Sequence, residues 1–186
     1  MKIFELVSVI IGCGIALWLS FGYIFEGNIE SPPFKLIGKQ KGYEIREYQK
    51  LTVIKTKTSN QNSGFRQLFR MIDGNNAANK KIPMTAPVIQ DQTTMMFVMP
   101  NSMKIVPKPN DQNIQVQEMG PLTVAVKTFR GYATYSNKEL STLKAMLKKD
   151  GLKSKNIWYL CQYNSPWTFP LLRKNEIWIV INQNEK

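Results

Sequence analysis

The chain of 186 residues contains no histidine. That absence excludes His-containing zinc sites, Ser-His-Asp and Cys-His catalysis, and imidazole ligation of iron by this chain. Cysteine is nearly as scarce. Cys13 falls in a hydrophobic segment and Cys161 in a predicted strand, so neither a structural disulfide nor a zinc site is expected. Acidic residues number 13 against 25 basic ones and are dispersed. With no phosphate loop, metal cluster or activated nucleophile in view, an enzyme is not expected. Charged residues make up only 20% and hydrophobic residues 43%. That composition excludes a disordered chain and allows a real core.

What is present is a basic excess of +12. It favours anionic partners: phosphate, carboxylate ligands or lipid headgroups. The charges form short clusters (Lys80-Lys81, Lys148-Lys149, Arg173-Lys174) and no stripe suited to nucleic acid, which is not an expected partner. Leu6 to Phe25 is a run of twenty residues without a charge. As a helix it spans about 30 Å, the thickness of a hydrocarbon core. Trp18, Tyr23 and Phe25 suit an interfacial belt. Residues 1–25 therefore predict a single-pass transmembrane helix, with membrane contact through residues 6–25. Two alternatives stand beside it: a lipobox-like Ile10-Ile11-Gly12-Cys13 that would make Cys13 a lipidated terminus, and a cleaved signal segment. Each puts the following domain at or beyond a membrane, and the expected placement is outside the cytoplasm.

Residues 26–41, broken by Gly27, Ser31, Pro32, Pro33 and Gly38, read as a linker; 42–182 form the domain and 183–186 a tail. Tyr43 to Thr56 is strand-like, with Tyr43 and Ile45 alternating with charged residues. Phe65, Leu68, Phe69 and Ile72 share one face of a helix over Ser63 to Asp73, capped by Asn62 or Ser63 and closed by Gly74. Ile82–Ile89 and Thr94–Met99 are strands, the first irregular because of Pro83 and Pro87. Residues 101–113 connect two halves. Leu122–Phe129 is a strand, Ser136 to Glu139 a capping box opening a helix to about Asp150, and Ile157–Tyr163 and Glu176–Ile181 two more strands. The order strand, helix, strand, strand thus occurs twice. The expected fold class is α+β: duplicated βαββ units forming a distorted antiparallel β-barrel flanked by two helices, plus the N-terminal transmembrane helix.

Several segments resemble the SOUL/haem-binding protein family. Tyr43-Glu44-Ile45-Arg46-Glu47-Tyr48 is similar to its YE-x-R-x-Y opening. Gly74-Asn75-Asn76 and Lys81 to Val88 are similar to its G-x-N and KI-x-MT-x-PV stretches. Phe97 to Pro100, Pro107-Lys108-Pro109, Phe129 to Tyr132, Tyr163 to Pro166 and Arg173 to Trp178 follow in the family's order. The resemblance implies the same βαββ fold and a tetrapyrrole ligand, haem or a related porphyrin, with a role as binder, buffer or carrier. It implies a shallow hydrophobic groove beside the first helix, with Arg70 as propionate partner and Phe69 facing the ring.

A large apolar disc with two carboxylates needs apolar walls and cations at the rim. Phe65, Phe69, Met71 and Trp167 are the candidate walls; Arg66, Arg70, Arg173 and Lys174 are the candidate cations. Phe65 and Phe69 more often belong to a core than to a pocket, Arg66 and Arg70 also suit a solvated face, and Arg173 to Glu176 a structural stretch in which Glu176 pairs with an Arg or Lys. Iron, if held by the protein, needs Tyr, Met or Cys161. The competing function is an effector-binding or interaction module of GyrI-like fold that does not use haem, with Glu176 meeting cationic amphiphiles in a cleft.

Overall fold

Strands whose two faces are both covered set this architecture. The structure, a computed structural model, describes residues 5, 7–10, 12–14, 29–58, 60–165 and 167–182. Its strands are β1 (Phe34–Gln40), β2 (Tyr43–Tyr48), β3 (Leu51–Lys57), β4 (Val88–Gln90), β5 (Thr94–Val98), β6 (Ile114–Met119), β7 (Leu122–Arg130), β8 (Ser154–Gln162) and β9 (Lys174–Ile181). Helix α1 spans Gln61–Ile72 and α2 spans Ser136–Lys149. The strands form one antiparallel sheet in the order β1-β2-β7-β9-β8-β4-β5-β3-β6. The sheet curls into a half-barrel, so the α+β class and the repeated order of elements are both present.

The two halves meet where β4 pairs with β8. On one side lie β4-β5-β3 with α1, on the other β8-β9-β7 with α2. Each half also borrows a strand. β2 runs into β3 without pairing to it and joins β7 instead, while β6, which precedes β7, joins β3. Tyr48 sits opposite Leu122 and Leu51 opposite Met119. The crossing at Gly120 needs glycine: its φ is +98°, and a Cβ there would lie 3.2 Å from the Leu122 amide nitrogen.

The inner face packs on itself through Tyr48, Val53, Ile89, Met96, Val124, Val126, Cys161 and Trp178. The outer face is covered by the helices. Leu68, Met71 and Ile72 of α1 meet Ile54, Met95 and Phe97; Leu140, Leu143 and Leu147 of α2 meet Ala125, Phe129, Ile177 and Ile179. Side chains alternate between faces along each strand, so β9 reads Ile-Trp-Ile-Val-Ile because neither face meets water.

Several expectations are corrected. The stretch read as linker contains β1, paired with β2; its prolines precede the strand and Gly38 sits beside a bulge, so punctuation did not prevent pairing. β6 lies where no strand was expected, because Ile114-Gln115-Val116-Gln117 follows a turn-rich connection. The first helix starts earlier, with Asn60 as its cap: the Asn60 side-chain oxygen accepts from the backbone nitrogens of Asn62 and Ser63 at 2.9 and 3.4 Å. The Ser136–Glu139 capping box does not form. A 3-10 turn over Ala133–Tyr135 feeds α2 directly, and Glu139 pairs with Lys127 at 3.4 Å instead.

The single-pass transmembrane helix is also corrected. Residues 7–10 and 12–14 are helical, but among the described residues no helix is long and apolar enough to cross a membrane, which takes about 20 apolar residues. The expected anchor at 6–25, the membrane contact it implied and the placement outside the cytoplasm that rested on it are not supported. The remainder of that segment and the 183–186 tail lie outside the described residues.

Candidate functional site

Helix α1 presents Phe65 and Phe69, four residues apart and so stacked on one face, to a groove bounded by β4 and the loop after β8. The Phe65 ring lies 5.9 Å from Phe69 and 5.2 Å, edge-on, from the core ring of Phe97. Phe65 is thus both core and wall. Phe69 is 44% exposed. With Met84, Val88, Tyr163 and Trp167 these rings line an apolar cavity of about 330 Å³. Phe65, Val88, Gln162 and Asn164 also line an adjoining cavity of about 360 Å³, whose other walls include Arg66, Arg173 and Gln90. One groove therefore has an apolar part and a polar, basic part.

The polar part is ordered by a carboxamide ladder. Gln61 Nε2 donates to Gln90 Oε1 at 2.9 Å, and Gln90 Nε2 donates to Gln162 Oε1 at 2.7 Å. Arg173 Nε donates to the Thr168 carbonyl at 3.0 Å, which ties the loop after β8 to the start of β9. The Lys174 amide bonds the Asn164 side-chain oxygen and closes the same loop.

Tyr163 joins this groove to the inner face of the sheet. Its hydroxyl donates to Glu176 Oε2 at 2.7 Å. Glu176 is fully buried and accepts further bonds from both sides: Arg46 Nη1 at 3.1 and 3.2 Å, Trp178 Nε1 at 2.8 Å and Thr128 Oγ1 at 3.4 Å. Lys174 Nζ lies 3.2 Å from its other oxygen. Burial alone would raise the Glu176 pKa, but Arg46, Trp178, Tyr163 and Lys174 outweigh it and hold the group below the usual carboxylate range. Burial likewise opposes the Arg46 charge, yet Glu176, with the bonds to Tyr48 and Glu44, raises its pKa above the ordinary arginine value. Arg46 also donates to Glu44 at 2.7 and 2.9 Å and covers the Phe34 ring at 4.3 Å.

Phe65, Phe69 and Trp167 line the apolar part, and Phe65, Arg66 and Arg173 the polar part. Three expected residues are elsewhere. Met71 is 1% exposed beneath α1 and packs on the sheet. Arg70 is exposed one turn further along α1, lines neither cavity, and acts electrostatically on Asp111. Lys174 points to the inner face, over the Tyr163 ring at 3.9 Å and against Glu176. Cys161 is also on the inner face, completely buried, and burial pushes its thiol well up. Sequence reasoning missed Val88, Gln90, Gln162 and Asn164. Their only local signal is glutamine at the ends of two apolar strands, Val88-Ile89-Gln90 and Leu160-Cys161-Gln162. Arg46 was missed because Tyr43 to Tyr48 looks like a strand with one wet face. Among the described residues no cluster of three potential metal ligands is present.

Known proteins share both the sequence pattern and the architecture. The solved structure of the EcmrR C-terminal domain superposes with a TM-score of 0.59 at 13% identity, covering 76% of this chain and 97% of that one. A hydrolase from Listeria innocua gives 0.57 at 7% identity, over 78% and 94%. At such identities the likeness concerns the fold alone, the GyrI-like arrangement of a curled antiparallel sheet with few helices. Heme-binding protein 2 of Homo sapiens is 30% identical over 84% of this chain and 88% of its own length. Heme-binding protein 1 of Xenopus laevis is 25% identical over 84% and 94%. The family described as SOUL heme-binding protein matches residues 29–180, from just before β1 to the penultimate residue of β9, and the chain belongs to that family.

Proposed function

We propose that this protein binds haem or a related tetrapyrrole in the groove between α1 and the loop after β8, as a binder, buffer or carrier. The observation that carries the reading is the division of the groove into an apolar part of about 330 Å³ and a basic part of about 360 Å³ that share four residues. This matches a ligand with an apolar ring and carboxylates along one edge. Phe65, Phe69, Val88 and Trp167 take the ring. Arg66 and Arg173 take the carboxylates, displacing Arg70 from the role that the family resemblance implied. The names of the relatives support the same ligand class.

Haem, if bound, would supply a planar hydrophobic surface, two propionates and an iron; Phe65, Phe69, Val88 and Trp167 would hold the ring and Arg66 and Arg173 the propionates, and a chain without histidine has no imidazole to offer the iron. Cys161 is buried on the other face of the sheet, and the Tyr163 hydroxyl is committed to Glu176. The chain's contribution is to hold the ring and neutralise its carboxylates, so affinity is set by those contacts rather than by the metal. The competing reading, a cleft in which Glu176 meets a cationic amphiphile, needs an accessible carboxylate. Glu176 is 0% exposed and already paired with Arg46.

The full chain titrated with hemin and with metal-free protoporphyrin tests the proposal by absorbance and by quenching of Trp167, which is 76% exposed. Comparable affinity for both is expected. Arg66→Glu should weaken both about tenfold, the worth of one charge-assisted contact. Absence of saturable binding to either ligand overturns the proposal.

A further inference from the structure

The polar part of the groove holds more carboxamides than a closed porphyrin can use. Gln61 and Asn62 of α1, Gln90 of β4, Gln162 of β8, Asn164 just after it and Asn175 of β9 all line it. The strand registers bring the sheet residues to one face. Met95 stands opposite Gln90, and both Val88 and Asn175 stand opposite Gln162. Residues two apart along a strand share a face. Gln90 and Gln162 therefore point to the same side as Met95, which packs in the cluster under α1. The bonds from Gln61 to Gln90 at 2.9 Å and from Gln90 to Gln162 at 2.7 Å show the three side chains in direct contact.

Three of the six are spent on structure. The Asn164 side-chain oxygen accepts from the Lys174 amide, and Asn175 Nδ2 donates to the Gly131 carbonyl at 2.9 Å. Gln90 is 8% exposed and forms the middle rung of the ladder. The two ends of the ladder differ in sense. At the α1 end Gln61 Oε1 is an acceptor, and at the β8 end Gln162 Nε2 is a donor. No hydrogen bond among the described residues uses either atom.

A closed porphyrin turns its ring nitrogens inward, and apart from its propionates its rim is C–H. Arg66 and Arg173 answer the propionates, but nothing on such a ligand answers the ladder. An open-chain tetrapyrrole keeps two propionates and the apolar pyrrole rings, and it adds a lactam at each end. Each lactam offers an N–H donor and a carbonyl acceptor. It also asks for no metal ligand, in a chain that has no histidine. We propose, on the reading that the groove takes a tetrapyrrole, that its preferred ligand is an open-chain one (a bilin) whose terminal lactams bond to Gln61 Oε1 and Gln162 Nε2. The apolar part then takes the pyrrole rings against Phe65, Phe69 and Trp167. The carboxamide ladder is what separates the open chain from the closed ring, because a polar site discriminates by the partners a ligand leaves unbonded.

The test is titration of the full chain with biliverdin, protoporphyrin and hemin, followed by absorbance and tryptophan quenching. Biliverdin should bind about tenfold tighter than protoporphyrin, the worth of one to two hydrogen bonds. Gln61→Ala and Gln162→Ala should each weaken biliverdin about fivefold and leave protoporphyrin unchanged. Gln61 is exposed in the first turn of α1, so its removal leaves the core untouched, and the protoporphyrin arm reports on the fold of either variant. Arg66→Glu should weaken all three ligands. Protoporphyrin binding as tightly as biliverdin overturns the inference and leaves the groove reading standing. An equal loss of both ligands in the two glutamine variants does the same. Failure of all three ligands to bind overturns both.

Discussion

Replacing Glu176 by glutamine keeps its shape and removes its charge at the most heavily bonded position of the inner face. Three consequences follow from the geometry. Arg46 Nη1 loses an ionised partner that it holds at 3.1 and 3.2 Å while remaining nearly buried itself. A carboxamide NH2 replaces one acceptor oxygen, although Tyr163, Trp178, Thr128 and Lys174 all point donors at this group. Glu44 then remains as a carboxylate partner of Arg46, at 2.7 Å. Breaking a buried pair by removing one partner costs about 3–5 kcal/mol. For a domain of this size, that corresponds to a fall in Tm of about 10 °C.

The assay is urea unfolding followed by tryptophan fluorescence, since Trp178 sits in the network. Lys50→Gln is the control. It breaks the Lys50–Glu118 pair, whose side chains are 58% and 62% exposed, and should stay within about 0.5 kcal/mol of the parent. The pH dependence has a defined sign. Glu176 titrates below its ordinary 4.5 when folded, so the unfolded chain binds the proton first on acidification. The parent protein should lose this share of its stability as pH falls from about 4.5 through the folded pKa, and Glu176→Gln should lack that share of the acid sensitivity. A loss below about 1 kcal/mol with unchanged acid sensitivity would mean that the network contributes no more than a surface pair.

Other outcomes follow from packing and exposure. Ellman's reagent should titrate Cys13 in the native chain and leave Cys161 unreacted until denaturant is added, since one thiol is exposed and the other buried with a raised pKa. Leu143→Ala, at a completely buried position between α2 and the sheet, should cost about 2–5 kcal/mol in chemical unfolding. Gly131→Ala should cost about 1–3 kcal/mol in the same measurement, because φ there is +111° and a Cβ would lie 3.0 Å from Tyr135 Cε2.

The repeated βαββ order was legible because each helix shows one apolar face and each central strand a β-branched run. Two kinds of feature were not. β1 and β6 are the outer strands and mostly exposed; β1 carries two lysines, a glycine and a bulge, and β6 two glutamines and a glutamate, so their apolar periodicity is weak although each pairs with one neighbouring strand. The borrowing of β2 by one half and β6 by the other is a long-range property that no local pattern encodes. Phe65, Phe69 and Trp167 line one part of the groove, and Phe65, Arg66 and Arg173 the adjoining part. Met71 and Lys174 do not, because helical and strand phases turn them inward by one position. Arg46 shows the limit most clearly. An arginine alternating with apolar residues signals a solvated face when one face of a sheet is open. Here both faces are closed and the arginine is the partner of a buried glutamate.

A tetrapyrrole bound as proposed lies against α1 and the loop after β8, and not on the inner face of the sheet. Methyl NMR of methionine-labelled full chain, with hemin added in substoichiometric steps, reads this directly through paramagnetic broadening. Met84 lines the groove, whereas Met96 and Met119 pack on the inner face. Selective loss of the Met84 methyl signal, with Met96 and Met119 retained, is the expected result. Broadening of Met96 or Met119 before Met84, or no selective broadening at all, would contradict the groove as the binding site.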